Sequence, residues 1–571
     1  MREVPLSAQP IPVEPGSPVA AADDLPLTIG ALLRRRAQET PDVDILVCDD
    51  ERLTYGAAET LSRHVAGRLV ALGAGPGTHV AIVEPNGASF LVTWLAAARI
   101  GAVSIPMSTF STPGELRELV VRSDASILVT RDRYRSHDYV QKLSAALPSL
   151  DLSDPGPHYL ADAPCLRRVF VDGAEGGEGG WPESSTFGYL LQGDATTEET
   201  VLAGLEAAVT PADRMAIVYT SGSTAAPKGV VHCHGGMIRN LHNLNRIRGL
   251  QAGTKIFSNS PMFWIAGLAF NLVGVLTAGA TLVCSNSLDP VVTLDLLDRE
   301  RPQLVNGFAQ TVAHVVAHPA FRERDLSYIR RGNLYALMPD DVRPADPELR
   351  HNMLGMTETG SVCLIESDES DLPESLRGSF GRPVPDLQTR IVDLRTGADC
   401  PDGRPGELWL RGPMLMEGYY GKERSETFTP DGWFRTGDVF VRDEAGYYFF
   451  KGRSGDMIKT SGANVSPREV EGAISEVTGG TASIVFGLPD PDRGQVVVAV
   501  LLSPDRDTDT GAVLEGLRDR LSHFKVPRRI LVLDPLEVPL RSSGKPDLNR
   551  IADWVRARGG PGGEDAADAG S

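Results

Sequence analysis

From Leu27 to Pro106 the chain alternates helix-period segments with short apolar runs. IGALLRRRAQ, AAETLSRHVAGRLVALG and SFLVTWLAAARIGA repeat apolar positions at helical spacing, and ILVC and HVAIV are unbroken apolar runs among them. Short runs without polar alternation suit strands covered on both faces, so the order predicts α/β layers with mostly parallel strands. Met215–Tyr219 is another such run and ends in a Ser/Thr/Gly loop, while Gly406–Phe450, with GELWLRG and GYYFFKGR, reads as short β-strands joined by turns. The pattern restarts near Asp456 as a small α+β module. Ser466 suits a helix cap, Pro467 the first turn, and Glu469 completes a capping box. Val470, Ala473, Ile474 and Val477 then share one face, and Gly479–Gly480 stop the helix. A strand over Val496–Leu502 and a helix near Val513–Leu521 follow.

Size and charge narrow the possibilities. A chain of 571 residues exceeds what one core holds, so at least two domains are expected. The division predicted is a large domain over 27–454 and a small one over 455–558, between a disordered segment at 1–26 and a disordered acidic tail at 559–571. The net charge of −19 repels phosphate backbones and argues against nucleic acid as a partner; an anionic ligand needs a locally built site. Six scattered cysteines without a CxxC pair point to a reducing, cytoplasmic setting, and the proline-rich start lacks the apolar core of a signal peptide. Ile256–Ser287 carries no Asp, Glu, Lys or Arg, yet its apolar part, Ile265–Cys284, has Asn271, Thr277 and Thr281 within it and is broken by Gly274 and Gly279. It reads as a buried helix, a turn at Gly279 and a buried strand, and no membrane span is expected.

The most informative stretch is Tyr219–Gly236, YTSGSTAAPKGVVHCHGG. Thr220, Ser221, Ser223 and Thr224 bring four hydroxyls close to Gly222, Gly229 and Lys228. Hydroxyls and exposed backbone N–H groups wrap phosphate oxygens, and a lysine adds a point charge. A Walker loop is excluded, because Pro227 takes the place of its second glycine and Gly229 that of its Ser/Thr. His232 and His234 would share a face if both stood on a strand. Without a further ligand at a recognisable spacing they read as packing residues rather than metal ligands.

This loop resembles the signature of the adenylate-forming superfamily, which includes acyl-CoA synthetases, aryl-CoA ligases, adenylation domains and luciferases. Five more stretches resemble the family's motifs in its order: Leu354–Glu358; Gly406-Glu407-Leu408 with Gly418-Tyr419; Trp433–Asp438; Gly452-Arg453 through Lys459 with Gly462 and Glu469; and Ser543-Gly544-Lys545. The resemblance implies a large domain of layered α/β subdomains with a small β-barrel-like subdomain, then a small mobile C-terminal domain. It also implies a two-step reaction. A carboxylate attacks the α-phosphate of ATP to give an acyl-adenylate, and the thiol of coenzyme A then takes the acyl group. By the same resemblance, Thr220, Ser221, Gly222, Ser223, Thr224 and Lys228 hold the β- and γ-phosphates, Thr357 bonds the α-phosphate, and Glu358 ligates Mg²⁺. Asp438 accepts from the ribose hydroxyls, aided by Arg453, and Lys545 reaches the reacting oxygens as a catalytic group with Thr357 and Glu358. Gly462 lets a pantetheine arm pass.

Some positions depart from the family. Leu354 replaces an adenine-stacking tyrosine, Trp264 stands where many relatives have histidine, and Gly455 occupies the place of the pivot residue. Ala336–Asp341 replaces a glycine-rich pocket segment, with a short interval to Gly355. Met338, Met353 and Met356 are candidate pocket residues. The acceptor expected is coenzyme A. The alternatives are a separate carrier protein's pantetheine thiol, or an unusual acceptor such as nitrite or an amine. The acid, fatty or aryl, stays open.

Overall fold

The computed structural model describes residues 25–173, 181–192, 197–220, 227–367, 369–453, 458–460, 463–465, 467–490, 493–521, 525–541 and 545–558, without the side chains of Gln310, Lys459, Ala463 and Asn464. Most of the Asp172–Pro182 loop, the loop residues Ser221, Gly222, Ser223 and Thr224, the pivot Gly455, Gly462 and the cap Ser466 lie outside these. The chain divides into two compact units, Met1–Thr389 with Leu410–Phe434, and Arg390–Trp409 with Arg435–Ser571.

The first unit is α/β. A seven-stranded sheet runs Gly418–Tyr419, Lys228–Cys233, Arg214–Thr220, Val103–Pro106, His79–Val83, Ile127–Arg131, Arg168–Asp172. Its pairings from Arg214–Thr220 onward are parallel, and the two at the other end are antiparallel. A six-stranded sheet pairs Asp44–Cys48 with Thr281–Cys284 in parallel. The three helical patterns of the N-terminal region fold as Ile29–Glu39, Tyr55–Ala71 and Ala88–Arg99. The uncharged stretch forms a buried π-helical segment, Ala266–Val273, continuing as Gly274–Ala278, then a left-handed turn at Gly279 and the strand Thr281–Cys284. No helix among the described residues is long and apolar enough to cross a membrane. The strand carrying His232 ends at Cys233, and His234 opens the helix His234–Arg248 instead of sharing a strand face.

In the second unit, Gly494–Leu502 is the spine of a sheet, antiparallel to Ser483–Asp490 and parallel to Arg529–Leu533. The helix Pro467–Thr478 ends before Gly479 and buries Val470 and Ile474, with Ala473 and Val477 packed beside them, as the periodicity predicts. The second helix spans Thr510–Arg518, starting earlier than its apolar pattern because Asp509 caps it, its carboxylate accepting from Gly511 and Ala512 N–H. On the opposite sheet face Ile551 and Val555 of a third helix, Leu548–Arg558, close a separate core.

Candidate active site

The loop of hydroxyls joins two antiparallel strands, with Thr220 and Lys228 facing each other in register where it leaves the sheet. Lys228 is exposed, and its Nζ lies 5.2 Å from the ring centroid of Tyr419. Tyr419 is held there because its strand pairs with the next, Val230 opposite Tyr419.

The Tyr419 hydroxyl donates to Glu358 Oε1 at 2.8 Å. Glu358 stands on a single 3₁₀ turn, Thr357–Thr359, that closes on left-handed Gly360. The Thr359 hydroxyl, fully buried, donates to the carbonyls of Ser361 at 2.6 Å and Met356 at 3.0 Å, and Met416 N–H donates to the Glu358 carbonyl at 2.8 Å. Beneath the turn lies the His232 ring, where a Cβ at Gly360 would meet it at 3.5 Å. Burial pushes this imidazole down to about 4, opposed by the Thr357 backbone. A neutral ring supports the turn without placing a cation beside Glu358. Lys228, Tyr419 and Glu358 thus form one array of ammonium, phenol and carboxylate.

In the second unit, Asp438 and Arg453 are register partners on adjacent antiparallel strands. Arg453 Nε donates to Asp438 Oδ1 at 2.7 Å; the Asp438 side chain is 5% exposed and that of Arg453 56%. The strand segment before Asp438 is braced by the neighbouring strand, Gly406–Arg411. Glu407 Oε1 accepts from Gly437 N–H at 2.9 Å, and its other oxygen accepts from Trp409 Nε1 at 2.8 Å. Thr436 Oγ1 donates to the Leu408 carbonyl at 2.7 Å and accepts from Asp438 N–H at 3.0 Å. Gly437 has φ +75°, which a side chain would strain. Lys545 is exposed and directly precedes Pro546, which bridges antiparallel to Leu540.

The structure therefore joins Lys228 to Glu358 through Tyr419, and Asp438 to Arg453. Sequence reasoning assigned no role to Tyr419 or Glu407, although it singled out both positions, and it read His232 as a packing residue, which its buried ring beneath the turn is. Their residue types were visible; which partner each meets, 61 positions away for Tyr419, was not.

An open cleft also lies in the first unit, with Phe270, Tyr335, Met338 and Met353 among its apolar walls. Met338 follows a short 3₁₀ turn, Tyr335–Leu337, and Arg343 clamps its carbonyl with two bonds of 3.0 and 2.6 Å. Met353 immediately precedes the strand Leu354–Met356 that leads to Thr357 and Glu358. Met356 instead packs beside Val230, Met416 and Phe428, and Leu354 is half-buried. Trp264 is half-buried too, edge-to-face with Phe110, Phe263 and Phe308 at 5.7–6.3 Å.

The chain matches the AMP-binding enzyme family over residues 33–420 and the AMP-binding enzyme C-terminal domain over 469–545. It is 30% identical over 529 residues to feruloyl-CoA synthase of Amycolatopsis sp., covering 90% of this chain and 97% of that one. It is 29% identical over 521 residues to indoleacetate–CoA ligase of Aromatoleum aromaticum, covering 90% and 95%. Among solved structures, the anthranilate CoA ligase AuaEII in complex with anthranoyl-AMP superposes with a TM-score of 0.74 at 22% identity, covering 94% of this chain and all of that one. With both of its domains matched in order, this chain belongs to the AMP-binding enzyme family.

Proposed function

We propose that the protein is an ATP- and Mg²⁺-dependent carboxylate–CoA ligase, which converts a carboxylic acid to its acyl-adenylate with release of pyrophosphate and then transfers the acyl group to the thiol of coenzyme A. The array of Lys228, Tyr419 and Glu358 carries this reading, because joining an anion to a polyanion demands placed positive charge and a metal-binding carboxylate more than a strong base. The donor set fits magnesium. Among the described residues no cluster of three or more acidic, His or Cys side chains forms a protein cage, and magnesium in nucleotide sites takes one or two carboxylates with the phosphates and water completing its shell. Glu358 is such a ligand, oriented by Tyr419.

When bound, Mg·ATP supplies the electrophilic phosphorus and the pyrophosphate leaving group. The protein's part is to hold and neutralise. Thr220 and Lys228, with Ser221, Gly222, Ser223 and Thr224 of the same loop, grip the β- and γ-phosphates, and Thr357 bonds the α-phosphate. Asp438, fixed by the Arg453 ion pair, accepts from the ribose hydroxyls. Lys545 brings a positive charge to the oxygens on which charge accumulates. Gly462 lets the pantetheine arm pass close to backbone, after a domain rotation about Gly455 between the 27–454 and 455–558 segments. The cleft beside Met353 takes the acid. The six cysteines are all free thiols, in keeping with a cytoplasmic enzyme.

Pyrophosphate release measured over a panel of acids, with and without coenzyme A, tests the reading. Release that requires an acid and rises with coenzyme A is the expected result. Adenylate that accumulates despite coenzyme A would transfer the second step to a separate carrier protein's thiol or to another acceptor. No acid-dependent release at all would refute the ligase reading.

A further inference from the structure

Arg248 ends the helix His234–Arg248 and lines the cleft, with 6% of its surface exposed. Its Nε and Nη2 donate to Asn245 Oδ1 at 3.2 and 3.0 Å, and Nη2 also donates to the Phe270 carbonyl at 2.7 Å. The guanidinium lies 4.1 Å from the centre of the Phe270 ring. Nη1 is buried without a hydrogen-bond partner. Every partner of this cation is neutral, and burial lowers its affinity for a proton, to a pKa of about 9.

The acidic groups around the cleft do not compensate it. Glu366 pairs with Arg382 at 3.2 Å, Glu369 with Arg331 at 3.1 Å, and Asp371 with Arg350 at 3.0 Å. Among the described residues Arg248 takes part in no ion pair. A buried charge without a counter-charge is strongly unfavourable, and buried polar atoms without partners are rare. A cation with a buried, unsatisfied donor on the wall of the cleft points to a ligand that supplies the negative charge the protein omits. Tethering the π-helical segment through Phe270 explains Nη2. It explains neither Nη1 nor the choice of a charged residue.

Met353 lines this cleft four residues before Thr357, so its α-carbon lies within about 14 Å of that of Thr357. We infer that Arg248 is a specificity-determining residue and that the acid activated here carries a second carboxylate, remote from the reacting one, which pairs with Arg248. This rests on the ligase reading given above. The remote carboxylate supplies the missing counter-charge to the guanidinium, and the apolar walls take the carbon frame between the two acid groups.

Matched acids test it with the full-length protein: pentanoate against glutarate, heptanoate against pimelate, benzoate against isophthalate. The diacid of at least one pair is expected to show a kcat/KM for pyrophosphate release about tenfold or more above its partner. Arg248→Gln, which keeps a donor and removes the charge, should bring the diacid-to-monoacid ratio down to about one. Arg248→Lys should keep part of the preference. A purely structural role would lower the unfolding midpoint and leave the acid ratio unchanged, which overturns the inference. So would preference for the monoacid in every pair. If Arg248→Gln does not fold, the wild-type ratios together with Arg248→Lys decide. If no acid releases pyrophosphate, the ligase reading fails, and calorimetric titration with the same three diacids decides the site: binding weakened in Arg248→Gln supports it, and no binding to the wild type overturns it.

Discussion

The phenol of Tyr419 ties two reactive groups together: its hydroxyl donates to Glu358 at 2.8 Å, and its ring lies against the Lys228 ammonium at 5.2 Å. Tyr419→Phe separates these functions, because it keeps the ring and deletes the hydrogen bond. Losing a bond to a carboxylate removes about 1.5–3 kcal/mol of orientation, so kcat for pyrophosphate release should fall by about tenfold or more. The Mg²⁺ concentration for half-maximal rate should rise, since the carboxylate is no longer held. Tyr419→Leu removes the ring as well and should also raise the KM for ATP. An unchanged magnesium requirement in Tyr419→Phe would contradict the role given to the pair.

Glu407 supports Asp438 without touching a substrate. Replacing it with alanine strands the Gly437 N–H and the Trp409 indole N–H, both of which it now satisfies. Both donors are half-buried, and each lost hydrogen bond costs about 0.5–1.5 kcal/mol. Glu407→Ala should therefore destabilise the second unit, seen as a lower urea midpoint. It should also raise the KM for ATP several-fold while leaving the KM for the acid nearly unchanged. Equal changes in both constants would mean that Glu407 does not position Asp438.

How much was legible in the sequence depends on how local the cause is. The helix Pro467–Thr478 and the segment Ala266–Cys284 follow from periodicity, turn glycines and caps, which are properties of neighbouring residues. The helix boundary at Asp509 was missed because a single capping side chain moves it, not the apolar pattern. The site residues were named through motifs, yet their couplings were hidden. Tyr419 meets Glu358, and Glu407 meets Gly437, only because sheet pairing brings distant segments into register. Arg248 carried no signal, since a lone arginine ending a helix reads as a solvated cation or a favourable partner for the helix dipole. Its significance is its burial, which no local pattern encodes.

Lys545 is exposed and stands in the second unit, whereas Lys228 stands in the first. Two lysines at different stages of one reaction should separate on mutation. Lys545→Ala should reduce acid-dependent pyrophosphate release by about 100-fold or more, the scale of losing one group that stabilises transition-state charge. It should leave thioester formation from supplied acyl-adenylate and coenzyme A within a few-fold of the wild type. Lys228→Gln should act on the first step mainly through the KM for ATP. Full first-step activity in Lys545→Ala would remove it from the catalytic set.

Acid stability is set in part by His234. Its Nδ1 accepts from the backbone N–H of Ile29 at 3.2 Å, so the proton of the neutral ring resides on Nε2. Burial depresses His232 and His234 from an ordinary 6.5 to about 4. Between those values the unfolded chain binds protons that the folded one refuses, so stability is fully present above pH 6.5 and declines as pH falls towards 4. The loss at pH 5 should be of the order of 1–2 kcal/mol for each histidine. His234→Gln keeps an acceptor for Ile29 without a titrating group. Urea midpoints measured at pH 7 and pH 5 should show a smaller decline for His234→Gln than for the wild type. An identical decline would mean that His234 is already protonated in the folded protein, with the Ile29 bond broken.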